Sequence, residues 1–156
     1  MRFYTQAECE QWLARRERSL PVDAGKELLH IDTNVQGSRI AYLTRTIAMS
    51  VSYRMPVLLW ITEWGIWPSS ENWRLYYKLR ESYGDRQLLE DAPGHLFLEH
   101  ETEDFASFLQ LAIQNGWGGH IQPVAPYVTA FFSHDEYMDF YSNNKDILEE
   151  LGKKLG

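Results

Sequence analysis

Two periodicities alternate along the chain, and the switches between them mark its elements. Thr5-Gln6-Ala7-Glu8 is a capping box, in which the threonine and glutamate side chains each satisfy an amide left bare by a first helical turn. It predicts a helix from about Gln6 to Arg18 that buries Cys9, Trp12 and Leu13 and stops before Pro21. Leu28, Leu29 and Ile31 predict a short strand ending near Asp32. Ser38 is placed to cap a helix whose apolar positions, Ile40, Leu43, Ile47 and Val51, keep the helical period. Val57-Leu58-Leu59-Trp60-Ile61 has no polar face, as in a strand covered on both sides at the centre of an α/β sheet.

Pro68-Ser69-Ser70-Glu71 opens a helix through about Tyr83, with Trp73, Tyr76, Tyr77 and Tyr83 on or near one stripe and Gly84-Asp85 at its end. After the turn Ala92-Pro93-Gly94, the segment from His95 to His100 forms a strand. Thr102 caps the next helix, with Phe105, Phe108, Leu109, Ala112 and Ile113 on one face and Gly116 as its left-handed stop. Gly118 to Pro123 is a loop or short edge strand, because proline cannot donate to a ladder. Tyr127 to Phe132 is a β-branched and aromatic strand. Ser133-His134-Asp135-Glu136 has the form of a second capping box, leading into a helix at Tyr137, Phe140 and Tyr141. Ile147, Leu148, Leu151 and Leu155 form a last amphipathic turn or two.

Strands that alternate with helices predict one layered domain over residues 1–156, α/β or α+β, with a mixed four- or five-stranded sheet flanked by helices. Crossover helices would make most strand pairs parallel, with the Tyr127–Phe132 strand antiparallel at an edge.

Charge changes this picture more than composition does. The chain is 44% hydrophobic and 24% charged, an ordinary globular balance, with a net charge of −7. The 58 residues between Arg86 and Lys145 hold no lysine or arginine but nine carboxylates: Glu90, Asp91, Glu99, Glu101, Glu103, Asp104, Asp135, Glu136 and Asp139. The first sixty residues carry eight basic and six acidic side chains. Such asymmetry predicts an acidic face that attracts a basic protein partner and repels nucleic acid. One cysteine, Cys9, permits no intrachain disulfide, and no apolar stretch reaches the length of a membrane span. Met1 to Gln6 lacks the apolar run of a secretory signal, so a cytoplasmic protein with no membrane association is expected.

Two candidate sites stand beside that face. Trp60, Trp64, Trp67 and Trp73 fall just past the end of the predicted central strand, where ligands collect in open α/β sheets. Trp64 and Trp67 are candidate contact residues there, and Trp60 and Trp73 are more readily explained as packing. Aligned strand ends would also bring Asp32, Glu63, His100, Glu101, His134 and Asp135 to one edge. Glu63, His100 and His134 are then candidate acid/base or metal-assisting groups. No ligand spacing such as HExxH, no thiolate cluster, no phosphate loop and no nucleophile elbow occurs, so neither a metal nor a cofactor is implied. Gly116-Trp117-Gly118-Gly119 follows a helix instead of opening one and lacks the dipole that holds phosphate.

The segments Trp60-Ile61-Thr62-Glu63-Trp64-Gly65-Ile66-Trp67-Pro68-Ser69, Ala92-Pro93-Gly94-His95-Leu96-Phe97 and Phe132-Ser133-His134-Asp135-Glu136-Tyr137 resemble those of a set of small bacterial proteins without an assigned activity. The resemblance implies a shared fold and a bacterial cytosol, and carries over no catalytic residue. In size, acidity and aromatic content the chain is also similar to immunity proteins that neutralise toxins. The sequence therefore points to a non-enzymatic protein-binding module, an immunity-type inhibitor or adaptor. Its carboxylates Glu99, Glu101, Asp104, Asp135 and Asp139 would steer association, and Trp64, Trp67 and Trp117 would act as anchors. A small-ligand protein or metal-assisted hydrolase using Glu63, His100 and His134 is the alternative. A subunit of a larger bacterial assembly is a third.

Overall fold

Seven strands in one antiparallel sheet carry the chain, in a computed structural model that describes residues 1–17, 27–52, 55–64, 70–124 and 127–156. In chain order the elements are β1 (Arg2–Tyr4), α1 (Gln6–Glu17), β2 (Glu27–Asp32), α2 (Ser38–Val51), β3 (Val57–Glu63) and α3 (Ser70–Ser82). They continue with β4 (Gly94–Phe97), α4 (Thr102–Gln114), β5 (Gly118–Pro123), β6 (Thr129–Phe132), β7 (Tyr137–Ser142) and α5 (Lys145–Leu155). The strand order is β1-β4-β3-β5-β6-β7-β2. Among the described residues every pairing is antiparallel, so the architecture is α+β, with seven strands where four or five were expected and none of the parallel pairs.

The two-sided apolar run of β3 is explained by what lies on each face. Val57, Leu59 and Ile61 join the main core with residues of α2, α3, α4 and α5, including Ile47, Tyr76, Phe105, Leu109 and Leu151. Leu58 and Trp60 point the other way and pack with Cys9, Trp12 and Leu13 of α1. The Thr5–Glu8 box forms as the sequence predicts, with the Thr5 N–H donating to the Glu8 carboxylate at 2.8 Å. Burial pushes the Cys9 thiol up to about 12, which leaves it an inert apolar filler.

Three sequence expectations are overturned. The Ser133–Glu136 segment is not a helix cap but the turn between β6 and β7. The Ser133 hydroxyl accepts from the Asp135 N–H at 3.1 Å, and Glu136 adopts φ 64°. Strand β7 follows it, with Met138, Phe140 and Ser142 buried at every second position. Gly118–Pro123 is the middle strand of the sheet, since Pro123 sits at its last position, where a missing N–H costs little. Neither Ser38 nor Thr102 caps its helix: Gly37 and Glu101 hold the cap positions, without side-chain capping bonds. The left-handed stop at Gly116 is present, at φ 64°. No described helix is long and apolar enough to cross a membrane.

Candidate functional site

One edge of the sheet gathers the carboxyl ends of β2, β3 and β6 with the amino ends of β5 and β7. A shift in register between Ile61 and Glu63 ends the regular ladder there and sets Glu63 opposite Gly118. Glycine at 118 leaves room for the Glu63 side chain as it is placed. A β-carbon on it would overlap the Glu63 carboxylate. Glu63 thus lies across the backbone of β5 and reaches the β6–β7 turn, where its Oε2 is 3.0 Å from Nδ1 of His134.

His134 is held between two acids, since its Nε2 lies 3.4 Å from the Asp135 carboxylate. The Glu63 hydrogen bond first, and the Asp135 charge second, raise its pKa above the ordinary histidine value. Its ring is about one-third exposed. It borders a cleft of about 330 Å³ whose described lining also includes Thr33, Asn34, Gly37, Gln114 and Glu136. Helix α2 begins at this cleft and α4 ends at it, so helix-dipole ends of opposite sign meet there and largely cancel. The sign of the site is left to its side chains. Glu136 lines it, Glu63 and Asp135 flank His134, and no lysine or arginine is among the described lining residues.

The predicted site residues separate into those this edge collects and those it does not. Asp32, Glu63, His134 and Asp135 are together at it, and Trp64 follows Glu63, half-buried against Trp117 at 5.9 Å between ring centroids. His100 and Glu101 are not at this edge. Strand β4 runs antiparallel to β3, with Phe97 opposite Val57, so its carboxyl end exits roughly 20 Å away at the far edge. Trp117 cannot be a contact anchor. It is 1% exposed, with Tyr76 at 5.0 Å and Trp73 at 6.2 Å around its ring. Trp67 lies outside the described residues.

The carboxylates of residues 87–144 do not make one face. Glu99, Glu101, Glu103 and Asp104 surround the start of α4, whereas Asp135 and Glu136 are near its end, roughly 20 Å along the helix axis. Asp139 alternates with the core-facing Met138 and Phe140, so it lies on the opposite face of the sheet, 2.6 Å from His30. The group at the start of α4 is also partly neutralised. Arg45 pairs with Glu103 at 2.8 Å, and the Met1 amino group pairs with Glu101. Burial alone would push the Glu101 carboxyl up, but hydrogen bonds from the amino terminus and the Leu98 N–H outweigh it and hold the group below the usual carboxylate range.

A second cluster of titratable groups lies inside. Arg80, Tyr76, His95 and Asp85 form a connected network between α3, β4 and the loop joining them, each less than one-tenth exposed. Arg80, Tyr76 and His95 are sealed in the core, with Phe3 at 4.4 Å from the Arg80 guanidinium, and only Asp85 reaches a recess on the surface. The work of the network is structural. Among the described residues no group of three or more histidine, cysteine, aspartate or glutamate side chains is arranged to hold a metal ion. Comparison with known protein families, with characterised proteins and with solved structures returns no match to this chain.

Proposed function

We propose that this protein is a non-enzymatic binding module that receives a cationic side chain of a basic partner protein in the cleft beside His134. The observation that carries this reading is the charge of that cleft. Glu63 and Asp135 share a single histidine, Glu136 lines the cleft beside them, and no lysine or arginine is among the described lining residues, so carboxylate charge remains uncompensated even when His134 is protonated. A guanidinium or ammonium group entering there meets acceptors already held in place, with little ordering left to do. Trp64, half-buried and next in the chain to Glu63, is not among the cleft's described lining residues and would serve as a neighbouring aromatic contact for the partner. The exposed acids Glu99 and Glu103 would act at longer range, accelerating encounter rather than holding the complex. A toxin whose own active cleft is basic, because it must hold phosphate, is a partner of this kind, met in the cytoplasm of a bacterium.

The 3.0 Å bond between Glu63 and His134 favours a second reading, in which the pair is a general acid/base over a small ligand in the cleft. Against it, the other ring nitrogen faces the Asp135 carboxylate, where nucleophile activation would need a hydroxyl or thiol.

Titration with short arginine-containing peptides, followed by NMR at the His134 ring and the Glu136 amide, tests the proposal. Saturable shifts at both positions are expected, weakened by Asp135→Asn and Glu136→Gln and by raising salt from 50 to 500 mM. Absence of shifts, or binding indifferent to salt and to both substitutions, overturns it.

A further inference from the structure

The outer side of α3 carries a second recess, of about 450 Å³, which shares no lining residue with the cleft at His134. Its described walls are Trp73, Arg74, Tyr77, Lys78, Glu81, Asp85 and Arg86. Spacing explains the assembly. Trp73, Tyr77 and Glu81 recur every four residues on α3, Arg74 and Lys78 recur beside them, and Asp85 and Arg86 arrive from the turn that follows the helix. The two aromatic rings lie 6.0 Å apart at an interplanar angle of 44° and form an apolar floor. Tyr77 is fixed in this position, because its hydroxyl accepts the Leu89 N–H at 3.1 Å.

The charges of the recess are unequal once their partners are counted. Asp85 already belongs to the buried Arg80, which donates to it from Nε at 2.6 Å. Glu81 is engaged by Arg86 at 3.2 Å. Arg74 and Lys78 are exposed and carry no ion pair among the described residues. In a protein of net charge −7, two unengaged cations one helical turn apart over an aromatic floor are an exception to the general field.

We infer that this recess binds a small planar aromatic molecule bearing an anionic group. The ring would lie on Trp73 and Tyr77, and a phosphate or carboxylate would meet Arg74 and Lys78. The volume suits a ligand of mononucleotide size. Stacking is tolerant of the ring's identity, and the cations demand its charge, so a nucleoside monophosphate and an aryl carboxylate share the chemistry required.

The test is NMR titration of the full chain, read at the Trp73 indole N–H, with adenosine 5′-monophosphate, indole-3-carboxylate, adenosine and inorganic phosphate as separate arms. Saturable shifts with one or both charged aromatics are expected, with those from adenosine and phosphate at least fivefold weaker. Whichever charged aromatic binds more tightly identifies the source of the anion. The double variant R74S/K78S replaces exposed side chains, so folding should survive. It should raise Kd about fivefold, the sum of two exposed ionic contacts. A response to none of the four probes overturns the inference. So does equal binding of adenosine, or binding unchanged in R74S/K78S.

Discussion

The hydroxyl of Tyr76 lies 2.5 Å from Nε2 of His95, deep in the core, and this pair fixes the protonation of everything around it. Arginine can only donate, so the 2.9 Å bond from Arg80 Nη1 uses the Tyr76 oxygen as acceptor. The one phenolic proton is then free to go to His95, whose Nε2 must be bare. His95 is therefore neutral with its proton on Nδ1, toward the poorly aligned carbonyls of Leu59 and Pro93. Desolvation by burial, and after it the Arg80 charge, hold its pKa down at about 3. The same burial raises the Tyr76 phenol far above its ordinary range, so its proton stays in place.

Stability should consequently depend on pH in a defined direction. The unfolded chain takes up a proton at His95 near pH 6.5, and the folded protein refuses it until about 3. Between those values the unfolded state binds more protons, so stability falls as pH falls, by at most ~1.4 kcal/mol per unit from this group. Urea unfolding of the protein and of His95→Asn at pH 7.5 and 5.0 checks this. The variant should show the shallower slope.

Removing Arg80 should be far more damaging than removing any surface cation. Its guanidinium is fully buried, donates to Asp85 at 2.6 Å and to the Ala92 carbonyl at 3.1 Å, and leaves Asp85 as an unpaired buried charge when lost. Arg80→Ala should cost about 3–5 kcal/mol by urea unfolding. Arg45→Ala, which breaks an exposed pair with Glu103, should cost less than ~1 kcal/mol.

Gly118 and Gly119 are adjacent, yet alanine should act differently at each. At Gly118 a β-carbon overlaps the end of the Glu63 side chain, which can swing away and release His134. At Gly119 it overlaps the Trp60 carbonyl, which is backbone and cannot yield without parting β3 from β5. Gly118→Ala should therefore bring the His134 pKa back down toward the ordinary value, as Glu63→Gln should, with the fold retained. Gly119→Ala should lower the melting temperature sharply. An NMR titration of the His134 ring and a thermal melt of each variant separate the two effects.

Trp117 and Trp64 offer a parallel contrast. Trp117→Ala empties the centre of an aromatic cluster and should cost about 3–5 kcal/mol. Trp64→Ala should cost less stability and, on the proposed function, more affinity. Paired denaturation and arginine-peptide titrations would show it.

What the sequence revealed depended on how local the cause was. The Thr5–Glu8 box, the Gly116 stop and the apolar stripes of α2 and α4 are decided within a few residues, and they formed as written. The turn at Ser133–Glu136 satisfied the same local rule and still became a hairpin. The alternation of Tyr137 to Ser142 had carried the deciding signal. Strand β1, three residues long, has no room for a pattern at all. The pairing of Glu63 with His134 was within reach because both were expected at strand ends. The exclusion of His100 was not, since it depends on β4 running against β3. The basic recess on α3 was legible in principle, as Trp73, Arg74, Tyr77 and Lys78 recur four apart. The same residues also satisfy the simpler patterns of a helix start and an aromatic packing stripe.

Strand β2, near the amino end, hydrogen-bonds along its whole length to β7, more than a hundred positions later, from Glu27 with Ser142 to Asp32 with Tyr137. On a ribosome, residues 27–32 emerge long before residues 137–142 and have no strand to pair with until those follow. Contacts of such separation slow folding, and the local β5–β6–β7 meander is positioned to assemble first and serve as the template. A fragment ending at residue 136 should accordingly be degraded or aggregate, although it would retain every residue of the His134 site.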